Sequence, residues 1–182
     1  LYMALAECRY VNPRTDVEWP VNKPIWRAPD DGGYVNLTLG EGLRRGDIDA
    51  SSGTLWRYRR ALRLPRDDFE TMGEGWTPLI PSVWGECSVL MKCEHMMPTG
   101  SFKDRGTAVL FNYLKQSGIS EILEDSSGNA GASYAAYAAA FRLLARILVP
   151  ASAPDAKKTQ IAAMGACMEA IEGTRQDVAE AA

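Results

Sequence analysis

From residue 120 onward the chain alternates short apolar runs with segments of helical period, and this alternation constrains the fold more than any other feature. "SEILEDS" (120–126) reads as a strand, Asn129 to Leu144 as an alanine-rich helix, and "ARILVP" (145–150) as a strand closed by Pro150. "DAKKTQIAAMG" (155–165) follows as a helix ending in glycine, "ACMEAIEG" (166–173) as another strand, and "TRQDVAEAA" as the start of a last helix. Upstream, "SVLMKCE" (88–94) is a further apolar run, counted as the first strand of the series, and a helix is expected from about Phe102 to Gln116. Strands joined by helices of this length need right-handed crossovers, which build a parallel sheet. The expected fold class is α/β, a parallel sheet flanked by helices. The last helix has barely begun where the sequence stops, so the alternating unit is expected to be cut at its C-terminal end.

Residues 1–75 form a different compositional zone from residues 76–182. The stretch "VNPRTDVEWPVNKPIWRAPDDGGYVNL" has few long apolar runs and reads as an irregular lead-in of short strands and turns. Seven arginines then crowd into residues 44–66, including "LWRYRRALRLPRDD". They read either as an anion-binding patch or as a short helix whose Leu and Trp pack while the arginines stay solvated, and the second reading is preferred. The net charge of −3 calls for neither nucleic acid nor a membrane surface, and no stretch has the length of a spanning helix. Cys8, Cys87, Cys93 and Cys167 are scattered and read as reduced thiols in a cytoplasmic protein. His95 is the only histidine, which removes most histidine-based zinc sites and hydrolytic triads, and it reads as a surface or hydrogen-bonded residue.

Two stretches carry chemistry. In "PTGSFKDRG" (98–106), Ser101 and Asp104 have the spacing of a capping pair, which places Lys103 in the first turn of a helix. The helix dipole disfavours an ammonium there, and a neutral lysine amine is what Schiff-base chemistry with an aldehyde requires. A solvated lysine after a cap is the competing reading. In "SSGNAG" (126–131), two hydroxyls, a glycine and the free N–H groups of a helix start make a receptor for a carboxylate or phosphate. An ordinary strand-to-helix turn is about as common a use of those residues. Each stretch follows a predicted strand, so both are expected at the carboxyl edge of the sheet, where ligands bind in open α/β folds. An amine facing a receptor for a small acid suggests amino-acid chemistry.

Three stretches, in order, resemble the fold-type II pyridoxal-phosphate enzymes, the family of the tryptophan synthase β chain, and within it the threonine synthases. They are "GEGWTPL" (73–79), "PTGSFKDRG" (98–106) and "SSGNAG" (126–131), with weaker support from "LWRYR" (55–59) and "RAPDDGG" (27–33). The resemblance covers residues from about 20 to 182. It implies a three-layer α/β/α small domain over residues 76–182, with pyridoxal 5'-phosphate as cofactor and Lys103 as the Schiff-base lysine and proton shuttle. It further implies that Asn129 binds the cofactor's ring hydroxyl, and that Ser126, Ser127, Gly128, Asn129 and Ala130 line the substrate-carboxylate loop. The implied partner is a small amino-acid substrate, with a homodimer as the expected assembly. The implied activity is a lyase reaction of threonine biosynthesis, in which O-phosphohomoserine and water give threonine and phosphate. Serine/threonine dehydratase or cysteine synthase-type chemistry, or a non-catalytic binding module, are the alternatives. Relatives often carry threonine where this chain has Ala130. Some begin with a cysteine-rich zinc ribbon, but Ala28 and Asp31 stand where two cysteines would be. No metal is expected, because zinc needs about four ligands. Family members are much longer, with their cofactor-phosphate loop beyond residue 182, so a chain of this length is expected not to catalyse alone.

Overall fold

A computed structural model describes residues 8–182. The strands are β1 (Arg9–Val11), β2 (Glu18–Pro20), β3 (Asn36–Leu37), β4 (Leu79–Trp84), β5 (Cys87–Lys92), β6 (Glu121–Glu124), β7 (Leu144–Pro150) and β8 (Cys167–Ile171). The helices are α1 (Arg59–Leu62), α2 (Lys103–Gln116), α3 (Asn129–Phe141), α4 (Asp155–Ala163) and α5 (Arg175–Ala181).

The parallel sheet runs β6-β7-β8, with Glu121 opposite Leu144 and Arg146 opposite Cys167 at the first pairs of the two ladders. Period two decides which face of β7 each residue covers. Ala145, Ile147 and Val149 join the main core with Phe111 of α2, Tyr137 and Phe141 of α3, and Ile161 of α4. Leu148 points the other way and is buried, as is Val178 of α5, the helix that packs on β7 and β8. Helices thus flank both faces, as the alternating pattern requires. The alanines of α3 let it lie close to both β7 and α2, and its aromatic rings fill the layer between. Phe111 meets Tyr134 and Phe141 edge-on, at centroid distances of 5.6 and 6.1 Å. Arg142, in the left-handed conformation at φ 61°, ends α3 before the expected Leu144 and frees Leu144 to open β7.

The 88–94 run differs from its expectation. β5 pairs antiparallel with β4 in a separate two-stranded sheet and takes no part in the parallel one. The cause is local: only Gly85 and Glu86 lie between the paired Trp84 and Cys87, and Gly85 sits at φ +60°. Two-residue hairpins need a positive φ at their first central residue, which glycine supplies without strain. Lys103 nevertheless reaches the carboxyl edge of the parallel sheet by another route. The short connection 117–120 joins α2 to β6, and the start of the helix comes near enough to the end of the strand for the charge of Lys103 to act on Glu124.

The lead-in docks on this framework. β1, β2 and β3 form an antiparallel sheet in the order β2-β1-β3. Its turns at 12–16 and 28–33 are cross-linked: Asp30 accepts from Asn12 Nδ2 at 2.9 Å and from the Thr15 hydroxyl at 2.6 Å. Arg14 donates to both oxygens of Asp31, at 2.7 and 2.8 Å, and this guanidinium holds the Asp31 carboxyl well below the usual carboxylate range. The segment likened to a zinc ribbon is therefore closed by hydrogen bonds and an ion pair. Among the described residues no group of three or more His, Cys, Asp or Glu could hold a metal ion. In the arginine-rich stretch Leu55 and Trp56 are buried. Arg59, Arg60 and Arg66 pair with Asp49, Asp47 and Asp68 near the surface. Trp56 stacks on Phe69 at 4.3 Å and donates its indole N–H to Glu74 at 2.6 Å. Glu74 is fully buried and also accepts from Tyr137 at 2.9 Å, Thr71 at 3.0 Å and the Met72 N–H at 2.9 Å. Four donors offset the cost of burying a carboxylate, and they tie the lead-in to α3.

Candidate active site

Lys103 is the first residue of α2 and Asn129 the first residue of α3. The two helix starts are brought together by Asp104. Its side chain is fully buried and accepts from the Thr99 N–H at 2.7 Å, the Thr99 hydroxyl at 2.6 Å and the Ser133 hydroxyl at 2.6 Å. Ser133 lies in the first turns of α3, so one carboxylate joins the 98–101 turn, the start of α2 and the start of α3. Ser133 also lies 2.8 Å from the Thr107 hydroxyl, which in turn donates to the Lys103 carbonyl at 3.0 Å.

Of the capping pair expected from Ser101 and Asp104, only the serine half forms. Ser101 Oγ accepts from the Lys103 N–H at 3.3 Å, while the Asp104 carboxylate turns to Thr99 and Ser133. The long-range acceptor role wins because Ser133 and Thr99 supply three donors in a site closed to water. Thr99, Thr107 and Ser133 were not legible as site-building residues, since nothing in the local spacing marks hydroxyls that meet through packing. The solitary His95 lies on the surface, in the turn of residues 94–96.

The side chain of Lys103 is exposed, with Nζ over the Phe102 ring at 5.1 Å. Asn129 is exposed, and Ser126, Ser127, Gly128 and Ala130 are half-buried in the turn between β6 and α3. Ser126 Oγ accepts from the Gly128 N–H at 3.3 Å, which curls the turn. The N–H groups at the start of a helix have no partner within it, so the start of α3 offers donors beside Asn129. Gly131 is needed for this shape: a Cβ there would lie 1.9 Å from the Ser126 carbonyl oxygen. The loop is a cradle that an alanine would fill.

Lys103 and the loop share one electrostatic environment. Burial pushes the carboxyl of Glu124, the last residue of β6, above its ordinary value, and neighbouring Asp125 adds to this; the positive charges of Arg175 and Lys103 pull it back. The lysine ammonium therefore acts on the strand end that leads into Ser126. Burial, with a smaller contribution from Glu124, likewise raises Tyr134. An exposed amine beside a helix start and a hydroxyl-bearing loop can bond an aldehyde at one point and hold an anion at another. Those are the requirements of a pyridoxal cofactor and an amino-acid carboxylate, and the residues present fit them.

Residues 70–182 match the model of the pyridoxal-phosphate-dependent enzyme family, and the chain belongs to that family. Within it, the chain is similar to the threonine synthase of Mycobacterium leprae, 38% identical over 137 residues that cover 71% of this chain and 38% of the relative. The threonine synthase of Synechocystis sp. is 35% identical over 140 residues, covering 70% of this chain and 37% of the relative. Among solved structures, a pyridoxal 5'-phosphate-dependent aspartate racemase aligns with a TM-score of 0.50 at 26% identity, over 58% of this chain and 36% of that one. An O-ureido-L-serine synthase aligns with a TM-score of 0.50 at 26% identity, over 53% of this chain and 33% of that one. The chain spans well under half the length of these relatives. No described helix is long and apolar enough to cross a membrane.

Proposed function

We propose that the chain is the lysine-bearing portion of a threonine synthase-like lyase. In the whole protein it would act on O-phosphohomoserine and water and release threonine and phosphate. The observation that carries the reading is the Asp104 clamp, which holds the Lys103 helix start against the helix that opens with Asn129. The similarity to threonine synthases supports this choice of reaction.

Pyridoxal phosphate, when bound, supplies a conjugated ring that takes up the electrons left by loss of the substrate's α-proton. The rest of the work falls to the chain's own residues. Lys103 Nζ would hold the cofactor aldehyde at rest and, once the substrate's amine has displaced it, take the α-proton and return it elsewhere on the substrate. Asn129 would hydrogen-bond the ring hydroxyl. The hydroxyls of Ser126 and Ser127, with the N–H groups of Asn129 and Ala130 presented by the turn at Gly128, would hold the substrate carboxylate in register with that amine. Ala130 contributes only its backbone N–H to this set.

Incubation with pyridoxal phosphate, borohydride reduction and peptide mapping tests the reading. The expected result is one reduced-cofactor adduct, on Lys103, that disappears in Lys103→Ala. Adducts spread over several lysines, or none, would overturn the assignment. In the whole protein, phosphate released from O-phosphohomoserine supports the named reaction, whereas ammonia released from threonine would make it a dehydratase.

A further inference from the structure

A cleft of about 500 Å³ opens on another side of α2, lined among others by Arg57, Trp76, Thr77, Lys92, Glu94 and Arg105. Neither Lys103 nor the 126–131 loop lines it. Lys103 and Arg105 are two positions apart on the helix and so face different directions. The cleft holds three cationic side chains against one carboxylate. Glu94 is committed to Arg105, with contacts of 2.7 and 2.8 Å. Lys92 donates to the Thr77 carbonyl and forms no ion pair among the described residues.

Arg57 is the telling residue. Its Nε is buried and has no hydrogen-bond partner, and no carboxylate among the described residues pairs with it. Aromatic faces hold it instead: its guanidinium carbon lies 4.2 Å from the centroid of Trp76 and 5.5 Å from that of Tyr58. Trp76 adopts a left-handed backbone at φ 48°, a conformation that non-glycine residues rarely take, and it is 56% exposed at the cleft. Backbone held in this region is found at ligand sites, where the surroundings impose it. A guanidinium fixed in plane by stacking keeps its fork of donors oriented, and that fork matches a phosphate or carboxylate.

We propose that this cleft is a second ligand site, separate from the lysine, that takes a phosphate dianion through Arg57 and Lys92. The dianion comes either as free phosphate or as the head of a small phosphomonoester. The volume is that of a small-molecule site, and the exposed face of Trp76 offers a surface for the organic part of a phosphomonoester.

Calorimetric titration of the 182-residue chain with inorganic phosphate, and separately with glycerol 3-phosphate, at fixed ionic strength tests this. Saturable binding is expected. It should weaken at least about tenfold in Arg57→Gln, the loss expected for one charge-assisted contact, and also weaken in Lys92→Gln. It should stay within about twofold in Lys103→Ala, since that lysine lies outside the cleft. Lys92→Gln serves as the independent variant should Arg57→Gln unfold, which circular dichroism would reveal. Tighter binding of glycerol 3-phosphate assigns the site to a phosphomonoester, and equal binding assigns it to free phosphate. No saturable binding, binding indifferent to both cleft variants, or binding lost in Lys103→Ala would overturn the proposal. None of these outcomes bears on the adduct at Lys103, so the two readings fail separately.

Discussion

Replacing Asp104 by alanine removes the acceptor that joins the two helix starts. Three donors point at that carboxylate, but they do not lose equally. The Ser133 hydroxyl has a second acceptor in Thr107 Oγ1 at 2.8 Å and can turn to it. The N–H and hydroxyl of Thr99, a residue 9% exposed, bond only to Asp104. Hydrogen bonds to a carboxylate contribute about 1.5–3 kcal/mol each, so two orphaned donors cost about 3–6 kcal/mol. That is a large share of the roughly 5–15 kcal/mol that stabilises a domain. With a urea dependence of about 2 kcal/mol per molar, the unfolding midpoint of Asp104→Ala should fall by about 2 M. Asp104→Asn, which keeps one acceptor oxygen but turns an amide toward the remaining donor, should fall about half as far. The same variants should lose yield of the reduced-cofactor adduct at Lys103 under conditions where they remain folded, because the helix start is no longer held. A midpoint drop below about 0.5 M for Asp104→Ala, where about 1 kcal/mol is all that slope would allow, would refute the account of Asp104 as the clamp.

Two further outcomes follow from single contacts. Gly131→Ala should destabilise the chain by about 1–3 kcal/mol and reduce the adduct yield, because its Cβ would meet the Ser126 carbonyl at 1.9 Å. Gly128→Ala, where a Cβ meets nothing within 4 Å, is the stability control, and equal thermal shifts in the two variants would sink the cradle argument. The hydrogen-bonded Arg105 guanidinium lowers the Glu94 carboxyl from 4.5 to about 2. The folded value is depressed, so the stabilisation is complete above pH 4.5 and is lost as pH falls toward 2. A shift of that size corresponds to about 3 kcal/mol, which water reaching the pair screens to about 1–2 kcal/mol. Urea midpoints at neutral and acid pH should therefore converge for wild type and Glu94→Gln as pH drops. Curves that stay parallel would show that the pair contributes nothing.

The parts of this protein written in the sequence are those that depend on near neighbours. The period of the 120–182 region gave its strands and helices in the right order, because burial on one face of each element repeats every two or 3.6 residues. The motif around Lys103 and the "SSGNAG" loop were recognisable because each is built within nine residues or fewer, with glycines and hydroxyls at fixed offsets. Even the hairpin that removed residues 88–94 from the parallel sheet left a local signal in Gly85-Glu86, overshadowed by the apolar run after it. What tertiary structure decided is where charges are buried. Glu74 sits inside a readable motif, yet its role as an acceptor depends on Trp56 and Tyr137, 18 and 63 positions away. Asp104 looked like half of a helix cap and became the acceptor for Ser133, 29 positions on. Among the arginines, spacing could not separate Arg59 and Arg60, paired at the surface, from Arg57, stacked on Trp76 with a buried donor unmet. A buried polar group is tolerated only where partners converge on it from several elements, and that convergence is a property of packing, which no local stretch of sequence contains.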